Sequence, residues 1–103
     1  MADESPVTVI ARFTPTPETS GRLRELLEGM VAPTRAEAGC HFYNLFAAQG
    51  DGAEFVLLEC YEDSSALEAH RVSTHYKNYR AQLPDLLAAP ISVTVLAPVD
   101  ALN

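Results

Sequence analysis

The stretch LECYEDSSALEAHRVSTHYKNY, residues 58–79, carries Glu59 on a strand-like run and His70 and His75 on a helix-like run. A carboxylate facing an imidazole can fix that ring's tautomer and leave its other nitrogen as a base near neutral pH. The same residue types can also bind a metal ion or simply form a buried hydrogen-bonded pair. On the helix, His70 follows Leu67 by three residues, so both occupy the core-facing stripe. Glu59 and Tyr61 alternate with Phe55 and Leu57 and share their strand face. The spacing therefore predicts a Glu59–His70 contact, serving either packing or acid–base chemistry.

His75 stands five residues after His70, not the four of a helical metal-ligand pair. With a break between them the two rings could still converge, but apart from Glu59 no third ligand is evident, and no metal is expected. His75 falls at the start of a new helix, as a second candidate base or a solvated residue beside the cap. Tyr76, Tyr79 and Leu83 continue at helical spacing and serve as core or pocket wall. A buried tyrosine hydroxyl needs a partner. Asn44, Phe42, Arg12 and His41 lie within strand-like runs. Tyr61, Tyr76, Tyr79, Asn44, Phe42 and Arg12 are the candidate substrate contacts. Cys40 and Cys60 read as free thiols.

The elements that must position these groups follow from periodicity. PVTVIARF (6–13) alternates, with Val7, Val9, Ala11 and Phe13 on one face. TPTPETSGRLRELLEGMVAPTRAEAG changes to helical period, with Leu23, Leu26, Leu27, Met30 and Val31 as its stripe. Thr16 is the predicted cap, Pro17 the first helical residue, Pro33 a late kink and Gly39 the stop. CHFYNLFAA (40–48) and EFVLLECYE (54–62) flank QGDG, a hairpin signal. A helix opens at Asp63, Ser64 or Ser65, where Ser65 and Glu68 match a capping box. A break at residues 72–74 precedes a second helix capped by Ser73 or Thr74. Pro84 and a short helical turn follow, and ISVTVL (91–96) is the last strand, ended by Pro98.

The order is β-α-β-β-α-β, with the second helix in pieces. That order predicts an α+β, ferredoxin-like fold with an antiparallel four-stranded sheet and helices on one face. The domain is expected at 6–98, with short termini at 1–5 and 99–103. The sheet's other face, carrying Ile10 and parts of the hairpin, then calls for a partner subunit.

The chain has 103 residues, 48% hydrophobic and 20% charged, with net charge −7 and seven Lys and Arg in total. That balance argues against nucleic acid and anionic membrane as partners. No apolar run approaches the ~20 residues of a membrane span, and MADESPVTV lacks a signal-like core. With two cysteines, a cytoplasmic location is expected.

Four segments together resemble the antibiotic biosynthesis monooxygenase family, including its small quinol monooxygenases. They are VTVIARF, VAPTRAEAGCHFY, FVLLECYED and ALEAHRVSTHY, within a span from about Val7 to Leu96. The resemblance implies a homodimeric α/β barrel whose sheets pack through their exposed faces, with a pocket in each subunit between sheet and helices. It further implies oxidation of an electron-rich aromatic by dioxygen without metal, haem or flavin. Glu59, His70 and His75 match family positions; His70 or His75 is read as base and Glu59 as orienter. Many members carry Trp where this chain has Tyr61. The haem-degrading relatives use an asparagine on the first strand, which VTVIARF lacks. The fold also serves isomerases of small metabolites and non-catalytic dimeric binding proteins. Arg12, Arg71, Lys77 and Arg80 could serve a phosphate if they converged.

Overall fold

The computed structural model describes residues 5–50 and 53–101. Strands β1 (Val7–Phe13), β2 (Cys40–Ala47), β3 (Phe55–Tyr61) and β4 (Ser92–Leu96) form one sheet in the order β2-β3-β1-β4. All three pairings are antiparallel. Helices α1 (Ser20–Arg35), α2 (Ser64–Arg71) and α3 (Thr74–Gln82) and a 3-10 turn (Leu83–Leu86) complete the chain. This is the ferredoxin-like arrangement expected from the element order. Among the described residues, no helix is long and apolar enough to cross a membrane.

Alternation decides which face is buried. Val9, Ala11 and Phe13 of β1 and Phe55, Leu57, Glu59 and Tyr61 of β3 face the helices and are buried. Leu23, Leu27 and Met30 of α1 pack onto them, with Tyr79, Leu83 and Leu86 from the C-terminal half. Truncating a buried Leu such as Leu27 to Ala would cost about 2–5 kcal/mol.

The start of α1 departs from expectation, and that of α2 falls among the expected candidates. Thr16 does not cap α1; the helix begins at Ser20, after Thr19. Thr16 instead forms a turn with Thr19, whose hydroxyl donates to Leu86 O at 2.8 Å. A tertiary anchor thus outcompetes the local cap. Of the three candidate caps of α2, Asp63 serves: its Oδ1 accepts from Ala66 N at 2.9 Å. With Asp63 as cap, Ser65 is already inside the helix. Pro33 lies inside α1, which continues to Arg35. The hairpin turn carries Gly50 at φ +103, a left-handed conformation that suits glycine; the Asp51 and Gly52 of its motif lie outside the described residues.

Gly39 is not the helix stop. It follows α1 by several residues, and a Cβ there would collide with Ala66 Cβ of α2. Its carbonyl also accepts from Glu62 N at 2.7 Å. The absent side chain is what lets α2 approach β2. Gly39→Ala should therefore destabilise the protein by about 1–3 kcal/mol. Gly29 lies inside α1 with open space around it, so Gly29→Ala should stabilise by up to about 1 kcal/mol. Urea midpoints of the two variants shifting in opposite directions would verify both environments.

Candidate active site

His70 occupies the last turn of α2 and is 2% exposed. Ser73 then breaks the helix. Its hydroxyl donates to His70 O at 2.7 Å, closing α2, and accepts from Tyr76 N at 3.3 Å, opening α3. One side chain therefore sets the angle between the two histidine-bearing helices and brings His75 into the first turn of α3.

Both imidazoles converge on a residue that the sequence reading did not assign. Glu37 sits in a turn after α1, held by its own N–H to Thr34 O and by Cys40 N–H to its carbonyl. Its Oε2 lies 2.8 Å from His70 Nδ1 and 2.6 Å from His75 Nε2. His75 is therefore not a merely solvated residue. The signal available in the sequence was a lone acid in the small-residue run AEAG, inside one of the segments that carry the family resemblance.

Glu59 lies on the expected face but does not bond the His70 ring. It projects from β3 opposite Val9 and Tyr43, and Tyr61 OH donates to its Oε1 at 2.6 Å. His70 Nε2 stands 4.0 Å from the same oxygen, too far for a hydrogen bond. Glu59 thus neighbours His70 as predicted, but Glu37 holds the ring.

A carboxylate can only accept, so His70 Nδ1 carries the proton and Nε2 presents its lone pair toward Glu59. Burial pushes the His70 pKa below its ordinary value, against the hydrogen bond and charge of Glu37. Burial raises Glu59 to about 7, opposed by the Tyr61 hydrogen bond and by Arg71. Tyr61 is pushed far up by burial and by Glu59, which keeps it a phenol donor.

Tyrosines wall the site. The His70 ring lies 5.0 Å from Tyr76, 5.1 Å from Tyr61 and 5.9 Å from Tyr43. Tyr79 stacks edgewise on Tyr76 at 5.6 Å. Arg80 donates to Tyr76 OH at 2.8 Å. Between them runs a narrow cleft bordered by Glu59, His70, Arg71, Tyr76, Tyr79, Arg80 and Val93, with an interior of about 20 Å³. That is room for about one water. A wider apolar groove of about 440 Å³, lined by Leu83, Leu87, Pro90 and Ile91, meets the cleft at Arg80.

Three candidate substrate contacts are not brought to this cleft. Phe42 and Asn44 alternate with inward Tyr43, and Arg12 lies between inward Ala11 and Phe13, so all three belong to the other sheet face. Asn44 holds Arg35 at 3.2 Å and Arg12 pairs with Glu54 at 3.3 Å. Arg71 and Arg80 do converge on the cleft. Cys60 is buried and Cys40 half-buried, its thiol raised to about 11 by burial.

The raised Glu59 pKa has a consequence for stability. Below about pH 4.5 the carboxyl is protonated whether folded or unfolded. Between there and about 7, the unfolded chain ionises while the folded one keeps its proton, so stability falls as pH rises. Glu59→Gln keeps an acceptor for Tyr61 and removes the charging cost. It should gain on the order of 2 kcal/mol over the wild type at pH 8 but little at pH 4. Urea unfolding at the two pH values measures this, and a pH-independent difference would contradict it.

Comparison with known proteins bears on what this site serves. Residues 6–82 match the family described as antibiotic biosynthesis monooxygenase. The chain is 55% identical over 96 residues to the Mycobacterium tuberculosis protein named "Putative monooxygenase Rv0793", covering 93% of this chain and 94% of that one. The solved structure of Rv0793 superposes with a TM-score of 0.92, covering 96% of this chain and 100% of its own. "Putative monooxygenase YcnE" of Bacillus subtilis is 32% identical over 77 residues, 75% of this chain and 81% of its own. The crystal structure of PA3566 from Pseudomonas aeruginosa is 32% identical with a TM-score of 0.86, covering 93% and 96%. With its fold, its matched span and its histidine-bearing helices in place, the chain belongs to the antibiotic biosynthesis monooxygenase family.

Proposed function

We propose that the protein is a cofactor-independent monooxygenase that oxidises a small phenolic, quinol or polyketide-like aromatic substrate with dioxygen. The observation that supports this most is His70 Nε2, a lone pair aimed into a tyrosine-walled cleft while Glu37 fixes the ring from behind. In this reading His70 is the base, Glu37 positions it, and Glu59 with Tyr61 faces the substrate oxygen. His75 shares Glu37 and supports the same arrangement.

The chemistry follows from that base. Removing the phenolic proton makes an electron-rich anion able to pass one electron to dioxygen. Recombination of the radical pair at a ring carbon bearing hydrogen forms a peroxide. Loss of water then leaves the quinone, so phenol plus dioxygen becomes quinone plus water. The protein contributes proton abstraction, hydrogen bonding to the developing oxyanion and a wall that keeps water away. The ring would occupy the 440 Å³ groove and extend its hydroxyl past Arg80 into the cleft.

A second reading has one observation in its favour. Arg71 and Arg80 border the same cleft, which suits an anionic substituent and an isomerase using the same base without oxygen. Turnover under strict anaerobiosis would select it.

The proposed assembly is a cytoplasmic homodimer joined through the sheet faces. Phe46 and Leu96 are exposed on the face away from the helices, where Ile10 also lies. Such a patch favours a second copy. Sedimentation should give a dimer at micromolar concentration, and a monomer would remove the barrel from this reading.

An oxygen electrode with hydroquinones and polyphenols tests the reaction. Oxygen uptake should persist after chelation. In His70→Gln, which keeps hydrogen bonding but is no base near neutral pH, turnover should fall about 10²-fold or more. A folded His70→Gln variant with near-normal turnover would refute the base assignment.

A further inference from the structure

We propose that Glu37 Oε2, His70 Nδ1 and His75 Nε2 form a binding site for a divalent transition-metal ion of the imidazole-preferring class, represented by Zn²⁺, and that occupancy turns His70 off as a base. The first clause stands on geometry alone; the second rests on the monooxygenase reading above.

The three ligand atoms lie within 4.8 Å of one another. Glu37 Oε2 is already 2.8 and 2.6 Å from the two nitrogens. Metal–ligand bonds of about 2.0–2.2 Å place neighbouring ligand atoms roughly 3 Å apart. Admitting the ion therefore takes an outward movement of the carboxylate and a turn of the His75 ring that brings its nitrogen to a similar distance from His70 Nδ1. Both side chains reach the surface, Glu37 being 18% and His75 26% exposed. His70 is 2% exposed and stays as the fixed point.

Two imidazoles and one carboxylate make the donor set that suits zinc and its neighbours, not magnesium or calcium. Three protein ligands leave a position open on the exposed side. The distal nitrogen of His70 faces Glu59 at 4.0 Å, beyond hydrogen-bond distance, and Tyr61 holds Glu59 there.

Binding needs no net loss of protons. The ion takes the place of the two N–H hydrogens on Glu37, and these move to His70 Nε2 and His75 Nδ1. His70 Nε2 then becomes a donor toward Glu59 instead of a base facing the cleft. The ion and base catalysis thus exclude each other at one ring.

Calorimetry of Zn²⁺ into the full-length, chelator-treated and desalted protein tests the site without reference to any substrate. One equivalent should bind, and Mg²⁺ should give no heat. Glu37→Gln and His75→Gln should each weaken binding at least tenfold. His41 is the control, because its Nδ1 lies 3.9 Å from Cys60 Sγ and forms another meeting of imidazole and soft ligand; His41→Gln should leave the affinity unchanged. Absence of wild-type binding, indifference to both Glu37→Gln and His75→Gln, or loss in His41→Gln would each overturn the site. With a turnover assay in hand, saturating Zn²⁺ should abolish oxygen uptake, and undiminished uptake would overturn the switch. Failure to find any turnover would count against the monooxygenase reading, while Zn²⁺ binding that responds to Glu37→Gln and His75→Gln would still support the site.

Discussion

A single carboxylate oxygen shared by two imidazoles joins three parts of the chain. Glu37 comes from the turn after α1, His70 from the end of α2 and His75 from the start of α3. His70 is buried, and without Glu37 its Nδ1–H would be an unsatisfied donor costing about 1–3 kcal/mol. The contact in turn requires α2 to lie close against the start of β2. Gly39 permits that approach, two residues from Glu37, because no side chain stands between it and Ala66. A backbone tolerance and a buried hydrogen bond are thus parts of one constraint, and the orientation of the His70 ring follows from both.

The two acids around His70 act differently because their surroundings differ. Glu37 is partly exposed and receives two imidazole donors. Glu59 is 6% exposed, receives one phenol donor, and is driven by burial to about 7. Placing one carboxylate on each nitrogen of a ring gives that ring a direction, with the proton held at Nδ1 and the lone pair on the side of the cleft. The Glu37 bond satisfies the buried ring on one side, and a second acid lies buried 4.0 Å from its other nitrogen.

The fold was readable because its evidence is periodic. Val9, Ala11 and Phe13 alternate, Leu23, Leu27 and Met30 repeat at helical spacing, and each burial follows from local order. The inward face of Glu59 and Tyr61 was readable for the same reason. Glu37 was not, because its role depends on a partner 33 residues away and on how far α1 runs before the chain turns. No period carries that information. The start of α1 failed in a related way: Thr16 is a good local cap, but Thr19 is tied to Leu86. Arg12, Phe42 and Asn44 were polar or aromatic residues on strands whose parity places them on the far face, a deduction the alternation of β1 and β2 already contained.

The five-residue spacing of His70 and His75 brings the rings together because the helix between them is broken. Five residues along one continuous helix would turn the second ring well away from the first, since each residue advances about 100°. That geometry excludes a shared ligand only if the helix is continuous. Ser73 ends it, with one hydroxyl bonded to His70 O and to Tyr76 N, so the count restarts at α3. The rings then stand 6.0 Å apart and face the same carboxylate. The break is the feature that turns His75 inward. A capping residue between two polar side chains therefore changes which spacings can converge, and the spacing has to be read after the break has been placed.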